Sequence, residues 1–180
     1  LLSDKMFGPG VMPPQPDGIW EHAYLGNLWK TSKGEDKYRR GIYTYLKRTS
    51  PYPSMIAFDA GSREVCLVGR SPTNTPLQAL VTMNDPVYLE AAMQFAKTHH
   101  NKEARLAIIA MYQKATLRVP EEDKLKSLLT LYEEAKKTFE NDPEQLEDFF
   151  GLNQIIDINT ASLAIIANAI MNLDEFLTHG

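Results

Sequence analysis

Apolar residues recur at helical spacing along the chain from Thr75 onward. The pattern predicts helices that begin after Thr75 and after Asp85, and further helices over residues 102–116, 120–140 and 161–177. Thr75 and Asp85 each stand directly before a proline, which is the order of an N-cap residue and a first helical position. The last helix is apolar almost all round, so we expect it at the centre of a bundle.

The first 75 residues show a different pattern. Prolines and glycines crowd the segment from Gly8 to Gly18 and oppose a helix there, whereas large aromatic residues follow between Trp20 and Trp29. Residues 1–34 are therefore predicted to form an extended arm that docks on the core. Residues 35–49 place apolar and basic side chains on opposite faces and predict an amphipathic helix, followed by a long ordered connection up to residue 75.

Together these patterns predict a mainly α-helical fold in a single domain over residues 1–180. An irregular helical bundle of about five to six helices occupies residues 76–180, and a Pro/Gly- and aromatic-rich irregular segment precedes it. Asp142 before Pro143 marks a further helix start. Because the chain opens at Leu1 without a methionine, we expect it to be a C-terminal fragment of a larger protein.

Composition excludes several classes of protein. No apolar run reaches the roughly 18 residues of a membrane span. A single cysteine, Cys66, excludes an internal disulfide and the Cys-x-x-Cys-His motif of a covalent haem, so we expect no cofactor in this chain. Residues 1–70 carry ten Lys and Arg against seven Asp and Glu, and residues 71–180 carry nine against sixteen. Neither half is basic enough to indicate a nucleic-acid partner.

The densest group of polar side chains lies in the connection before residue 76. Asp59 and Glu64 are the candidate catalytic residues, because a pair of carboxylates serves as acid and base in glycoside cleavage. The alternative is that these carboxylates form ion pairs with Arg63 and Arg70 that anchor the connection, and this structural interpretation is favoured. The candidate ligand-binding residues of the same stretch are Arg63, Arg70, Asn74 and Gln78.

A second candidate surface is basic. Arg40, Lys47 and Arg48 gather on one side of the helix predicted over 35–49 and suit an anionic polymer, but a solvated helix face is the favoured interpretation because exposed cations need no ligand. The adjacent His99 and His100 suggest the end of a helix rather than a metal site, because neighbours in sequence point to different faces. No metal site is therefore predicted.

Several stretches carry a resemblance to a known family. They include Gly8-Pro9 up to Trp20, Tyr38 to Tyr43, Phe58-Asp59-Ala60 and Arg70 with Thr73 to Leu80. In their order and spacing they resemble the domain of unknown function 1553. The sequence departs from the family pattern at Gly41, where serine is usual, and at Pro13-Pro14 before Gln15.

The resemblance implies a cellular location and neighbouring domains, but no particular reaction. Such domains look like the C-terminal part of exported bacterial proteins, typical of Planctomycetes, whose upstream regions include a c-type haem domain. The most favoured function is accordingly a non-catalytic accessory or scaffold module that packs against upstream domains of the same polypeptide, in the periplasm or at the cell surface. The alternatives are a carbohydrate-acting enzyme that uses Asp59 and Glu64, and a module that binds an anionic glycan; polysaccharide is thus a possible partner.

Overall fold

The computed structural model describes residues 2–16, 29–47, 50–61, 73–146 and 157–178. Two short 3-10 helices, Gly34–Tyr38 and Gly41–Tyr43, precede the α-helices. The α-helices are α1 (Pro53–Ala57), α2 (Pro76–Asn84), α3 (Pro86–Lys97), α4 (Ala104–Thr116), α5 (Glu122–Asn141), α6 (Ile158–Met171) and α7 (Asp174–Leu177). No β-strand occurs in these ranges, and the predicted mainly helical fold is confirmed. Among the described helices, none combines the length and apolarity needed to span a membrane.

The chain forms two compact units. The first comprises Leu1–Val81 with Asp85–Val87, and the second comprises Thr82–Asn84 with Tyr88–Gly180. Because α2 crosses this division, its residues contribute to both units.

In the first unit, aromatic side chains hold the proline-rich arm. Trp29 donates its indole N–H to the carbonyl of Pro13 at 2.8 Å, and the Tyr52 hydroxyl donates to the carbonyl of Pro14 at 2.8 Å. The rings of Trp29 and Tyr52 are stacked with centroids 5.8 Å apart. A proline-rich segment lacks the N–H donors needed for regular backbone pairing, and here two side-chain donors satisfy its carbonyls. Trp29 and Tyr52 therefore hold the arm within the first unit, whereas Trp20 and residues 21–28 lie outside the described ranges.

The α-helix predicted over 35–49 is wrong. The backbone there forms the two 3-10 helices and then extends, so that Val11 and Thr44 make a parallel bridge. The amide of Val11 donates to the carbonyl of Tyr43 at 2.8 Å, and the amide of Tyr45 donates to the carbonyl of Val11 at 2.7 Å. Gly41 weakens a helix at its middle, and β-branched and aromatic residues follow it, so pairing with the arm wins over helical propensity.

Helix α2 begins as predicted. The Thr75 hydroxyl accepts from the amide of Gln78 at 3.3 Å, and the Gln78 side chain accepts from the amide of Thr75 at 3.0 Å. Pro76 occupies the first helical position. This reciprocal capping box satisfies two backbone donors that would otherwise lack helical partners.

The second unit is built around α6, as its apolar pattern predicted. Leu163, Ile166, Ala167 and Ile170 are buried, and even Ser162 is inaccessible to solvent. Helices α4 and α5 pack against α6, and their buried residues complete the core. The core residues of α3, α4 and α5 are Ala92, Met93, Ala96, Ala107, Ile108, Met111, Tyr112, Leu125, Leu128 and Tyr132.

Both ends of the last predicted helix differ from expectation. Its N-cap is Asp157 rather than Thr160, because the Asp157 carboxylate accepts from the amide of Thr160 at 2.9 Å and from its hydroxyl. Helix α6 ends at Met171, and an extended Leu173 separates it from α7. Asp157 supplies a hydrogen-bond acceptor about one turn before the apolar run, so the helix begins there. The apolar run by itself predicts a start at residue 161.

Candidate functional site

Asp59 lies at the end of α1 and is joined by hydrogen bonds to the start of α2. The Thr73 hydroxyl donates to the Asp59 carboxylate at 2.5 Å, and the Gln78 side-chain amide donates to the Thr73 hydroxyl at 2.7 Å. Asp59 has a positive φ of 51°, a left-handed conformation that aspartate tolerates better than most residues. The candidate residues Asp59 and Gln78 are thus brought together through Thr73, which sequence reasoning had not singled out.

This chain of hydrogen bonds is typical of a structural anchor for the connection rather than of a reactive carboxylate. Gln78 is buried, and it uses its amide nitrogen on Thr73 and its oxygen on the amide of Thr75. The oxygen of Asp59 that faces α2 is already an acceptor. A surface carboxylate held in this way ties a turn to a helix start, and it needs no substrate to explain its position.

The other candidate residues divide into two groups. Asn74 and Arg40 are exposed and Lys47 is partly buried. Arg63, Glu64, Arg70, Arg48 and Cys66 lie outside the described residues. The distance between the two candidate carboxylates and the proposed ion pairs with arginine therefore remain predictions from sequence.

Arg39 is a buried cation that sequence reasoning missed. Its guanidinium lies over the ring of Tyr43 at 4.0 Å, donates to the carbonyl of Phe7 at 2.6 Å and approaches Asp36 at 3.6 Å. Tyr43 in turn accepts from the amide of Phe7 at 2.9 Å. The spacing of arginine and tyrosine four residues apart was the available signal, but the helix assumed over 35–49 obscured it. Arg39 joins the arm to the 3-10 helices of the first unit.

Asp85 is a buried carboxylate at the start of α3. It accepts from the amide of Val87 at 2.9 Å and from the Ser54 hydroxyl at 3.3 Å. Burial raises the pKa of Asp85 above its ordinary value of 3.8, against the opposing effect of these two hydrogen bonds. Asp85 caps the helix as predicted, but its negative charge is poorly solvated.

We expect Asp85→Asn to preserve the cap and remove this charge penalty. Asparagine caps helices about as well as aspartate, so the variant should be at least as stable as the parent at pH 7. A raised folded-state pKa means that the parent loses stability as pH rises from the unfolded value through the folded one. The advantage of the variant should therefore shrink as pH falls towards 3, as measured by urea unfolding at both pH values.

Asp85→Ala is the matched comparison. It removes the cap together with the charge and should cost about 1 kcal/mol at pH 3, where the carboxyl of the parent is largely neutral. Equal losses for Asn and Ala at pH 7 would show that the charge of Asp85 is needed and would contradict the prediction.

In the second unit, three polar side chains meet where α4, α5 and α7 approach. Glu175 of α7 accepts from the Tyr112 hydroxyl of α4 and from the Lys124 ammonium of α5, and Lys124 also lies 3.3 Å from the Tyr112 hydroxyl. The hydrogen bond from Lys124 holds the pKa of Glu175 below its ordinary value, and the same bond raises the pKa of Lys124. Both groups are therefore charged at neutral pH, which suits a structural ion pair and not proton transfer.

His99 and His100 follow the end of α3, and their ring nitrogens contact backbone carbonyls of its last turn. Nδ1 of His99 lies 3.1 Å from the carbonyl of Phe95, and Nδ1 of His100 lies 2.7 Å from the carbonyl of Lys97. These contacts satisfy carbonyls that the end of a helix leaves open. In the described part of the chain, no group of three or more His, Cys, Asp or Glu side chains is arranged to hold a metal ion.

The described groups thus define a mainly helical module whose polar side chains cap helices and join segments. Residues 1–132 match the family PSD1, a protein of unknown function (DUF1553), and the chain belongs to this family. The match ends within α5. No curated protein and no solved structure matches the chain.

Proposed function

We propose that the chain is a non-catalytic accessory or scaffold module of an exported, haem-linked multidomain protein, and that it packs against upstream domains of the same polypeptide. The observation that carries the proposal is the orientation of α2. Leu77 and Leu80 are 56% and 58% exposed, whereas Gln78 on the opposite side is 2% exposed. This helix buries polar side chains and presents apolar ones.

The composition of α2 supports the same function. Its sequence, PLQALVTMN, contains no charged residue, and Met83 continues the exposed apolar positions one turn after Leu80. The buried centres of protein interfaces are depleted in charge, whereas an ordinary solvated helix carries charged residues on its outer face. An outward stripe of leucines costs solubility and is typical of a surface that another protein segment covers.

The test compares the isolated chain with the product of the longest open reading frame that encodes it. In the longer polypeptide, the amides of α2 should exchange with deuterium more slowly, because packing suppresses local opening. Leu80→Glu should lower the thermal midpoint of the longer polypeptide by about 4 °C or more, since burying an unpaired charge costs over 1 kcal/mol. The same substitution should leave the midpoint of the isolated chain nearly unchanged.

Leu117→Glu is the matched control, because Leu117 is an exposed leucine that follows α4 and does not belong to α2. It should have little effect in either polypeptide. Equal exchange of α2 in both proteins, with no added penalty for Leu80→Glu in the longer one, would contradict packing of α2 against an upstream domain.

A carbohydrate-acting enzyme that uses Asp59 and Glu64 is one alternative function. One oxygen of the exposed Asp59 carboxylate accepts from Thr73, and a carboxylate has further acceptor sites for a substrate. Turnover of a defined polysaccharide by the isolated chain, abolished by Asp59→Ala without loss of folding, would overturn the scaffold proposal. Binding of an anionic glycan at Arg40, Lys47 and Arg48 would be expected to weaken with added salt, because exposed charges are screened over about 10 Å at 0.1 M ionic strength.

A further inference from the structure

Helix α7 is too short to hold its own position. It spans the four residues Asp174–Leu177, and its N-cap Leu173 offers no side-chain hydrogen bond. The amides of Phe176 and Leu177 both donate to the carbonyl of Leu173, and the amide of Thr178 donates to that of Asp174. A single turn of helix is unstable in water by itself, so its docking must come from side chains.

Two kinds of attachment dock α7 on the second unit. Leu173 and Phe176 are partly buried against the hydrophobic core, and α7 packs against α4 and α6. Glu175 makes the polar attachment, with the Tyr112 hydroxyl from α4 and the Lys124 ammonium from α5 as donors. Tyr112 is 2% exposed, so this attachment reaches the edge of the core.

The polar attachment is open to its surroundings. The side chains of Lys124 and Glu175 are 34% and 29% exposed, so water and ions reach the pair. The strength of this ion pair therefore depends on salt and pH more than the strength of buried apolar contacts does. The charged groups that act on Glu175 are Lys124 from α5 and Arg118 from the turn after α4, and Asp174 lies beside it on α7.

We propose that α7 is a releasable C-terminal strap, latched by Glu175 to Lys124 and Tyr112, which detaches from α4 and α6 while the helical core stays folded. Release separates Leu173 and Phe176 from the core and exposes the apolar surface that they cover. The strap thus controls access to this end of the second unit. The proposal does not depend on the proposed scaffold function, because it concerns only contacts within the second unit.

Solution pH provides one means of release. The depressed pKa of Glu175 means that its ion pair contributes fully above the ordinary value of 4.5 and is lost as pH falls through the folded-state value. The raised pKa of Lys124 places loss of its charge above 10.5. The latch is therefore closed over the neutral range and opens in acid.

The test is amide hydrogen exchange of the whole chain, resolved at Phe176, Leu177 and Thr178. Glu175→Gln should accelerate exchange at these amides by about tenfold, because a hydrogen bond to a charged group is replaced by a neutral one. The amides of α6 should exchange at unchanged rates. Lys124→Met should act in the same direction, and lowering the pH of the parent through the folded-state pKa of Glu175 should reproduce the effect once intrinsic exchange rates are corrected for pH.

Asp174→Asn is the matched control, because Asp174 is the neighbouring, exposed acid of the same helical turn. It should leave the exchange of Phe176 to Thr178 within about twofold of the parent. The paired exchange Lys124→Glu with Glu175→Lys should recover part of the protection, which separates loss of the latch from general destabilisation. Unchanged exchange in Glu175→Gln, or equal acceleration in α6 and α7, would overturn the strap.

Discussion

Ile166→Ala should lower the free energy of unfolding of the second unit strongly, and by more than Ile165→Ala does. Ile166 is fully buried in α6, where residues of several helices surround it. Truncating a buried aliphatic side chain to alanine costs about 2–5 kcal/mol, through lost burial and the cavity that remains. A loss of this size is a large part of the stability of a typical domain, so the urea midpoint should fall markedly.

Ile165→Ala is the matched control for this prediction. It removes the same atoms from the neighbouring position of the same helix, but Ile165 is only partly buried. The loss should therefore be smaller than for Ile166, and the slope of the urea transition should be similar in both variants. Equal losses, or an unchanged midpoint for Ile166→Ala, would mean that α6 is not the centre of the core.

Arg39→Ala should loosen the N-terminal arm around Phe7, while the contacts of Trp29, Tyr52 and Val11 hold the rest of the arm. The side chain of Arg39 is 1% exposed and contributes the hydrogen bond to Phe7 and the contact with the Tyr43 ring. Losing a hydrogen bond from a charged donor costs about 1.5–3 kcal/mol, and the lost packing adds to it. The expected result is faster hydrogen exchange at the Phe7 amide and faster proteolysis near it, with little change in α4 to α6.

Arg40→Ala is the control, because Arg40 is the adjacent cation and its side chain is exposed. It should change stability by less than about 0.5 kcal/mol. Arg39→Lys should not restore the arm, since one ammonium cannot lie flat on the Tyr43 ring and also reach Phe7 and Asp36. Undiminished protection of the Phe7 amide in Arg39→Ala would contradict a joining role for this arginine.

Helix boundaries that depend on local chemistry were predictable from the sequence. Thr75, Pro76 and Gln78 form a capping box within four residues, and Asp85 before Pro86 caps the next helix. Such signals involve neighbours in the chain, so they can be interpreted without knowing the fold. The same reasoning placed the start of α6 a few residues late, because the apolar run drew attention away from Asp157.

The candidate site was only partly predictable, because some of its hydrogen bonds join residues that are not neighbours in the chain. Asp59 and Gln78 were singled out by their residue types, and Thr73, which bonds to both, was not. Arg39 was missed because the carbonyl of Phe7 to which it donates belongs to the distant arm, and because the helix assumed over 35–49 obscured its nearby contacts with Asp36 and Tyr43. Hydrogen bonds between distant segments leave no periodic pattern in the sequence.

By itself, the sequence determined that the chain is mainly helical, that α2 and α3 begin at capped prolines and that α6 is the buried helix. Only the tertiary structure decided that residues 43–45 pair with the arm and that no α-helix forms around them. It also decided that α2 presents leucines to solvent and buries Gln78. Capping and apolar periodicity act between neighbours in the chain, whereas these outcomes depend on which distant segments compete for each backbone group and each helix face.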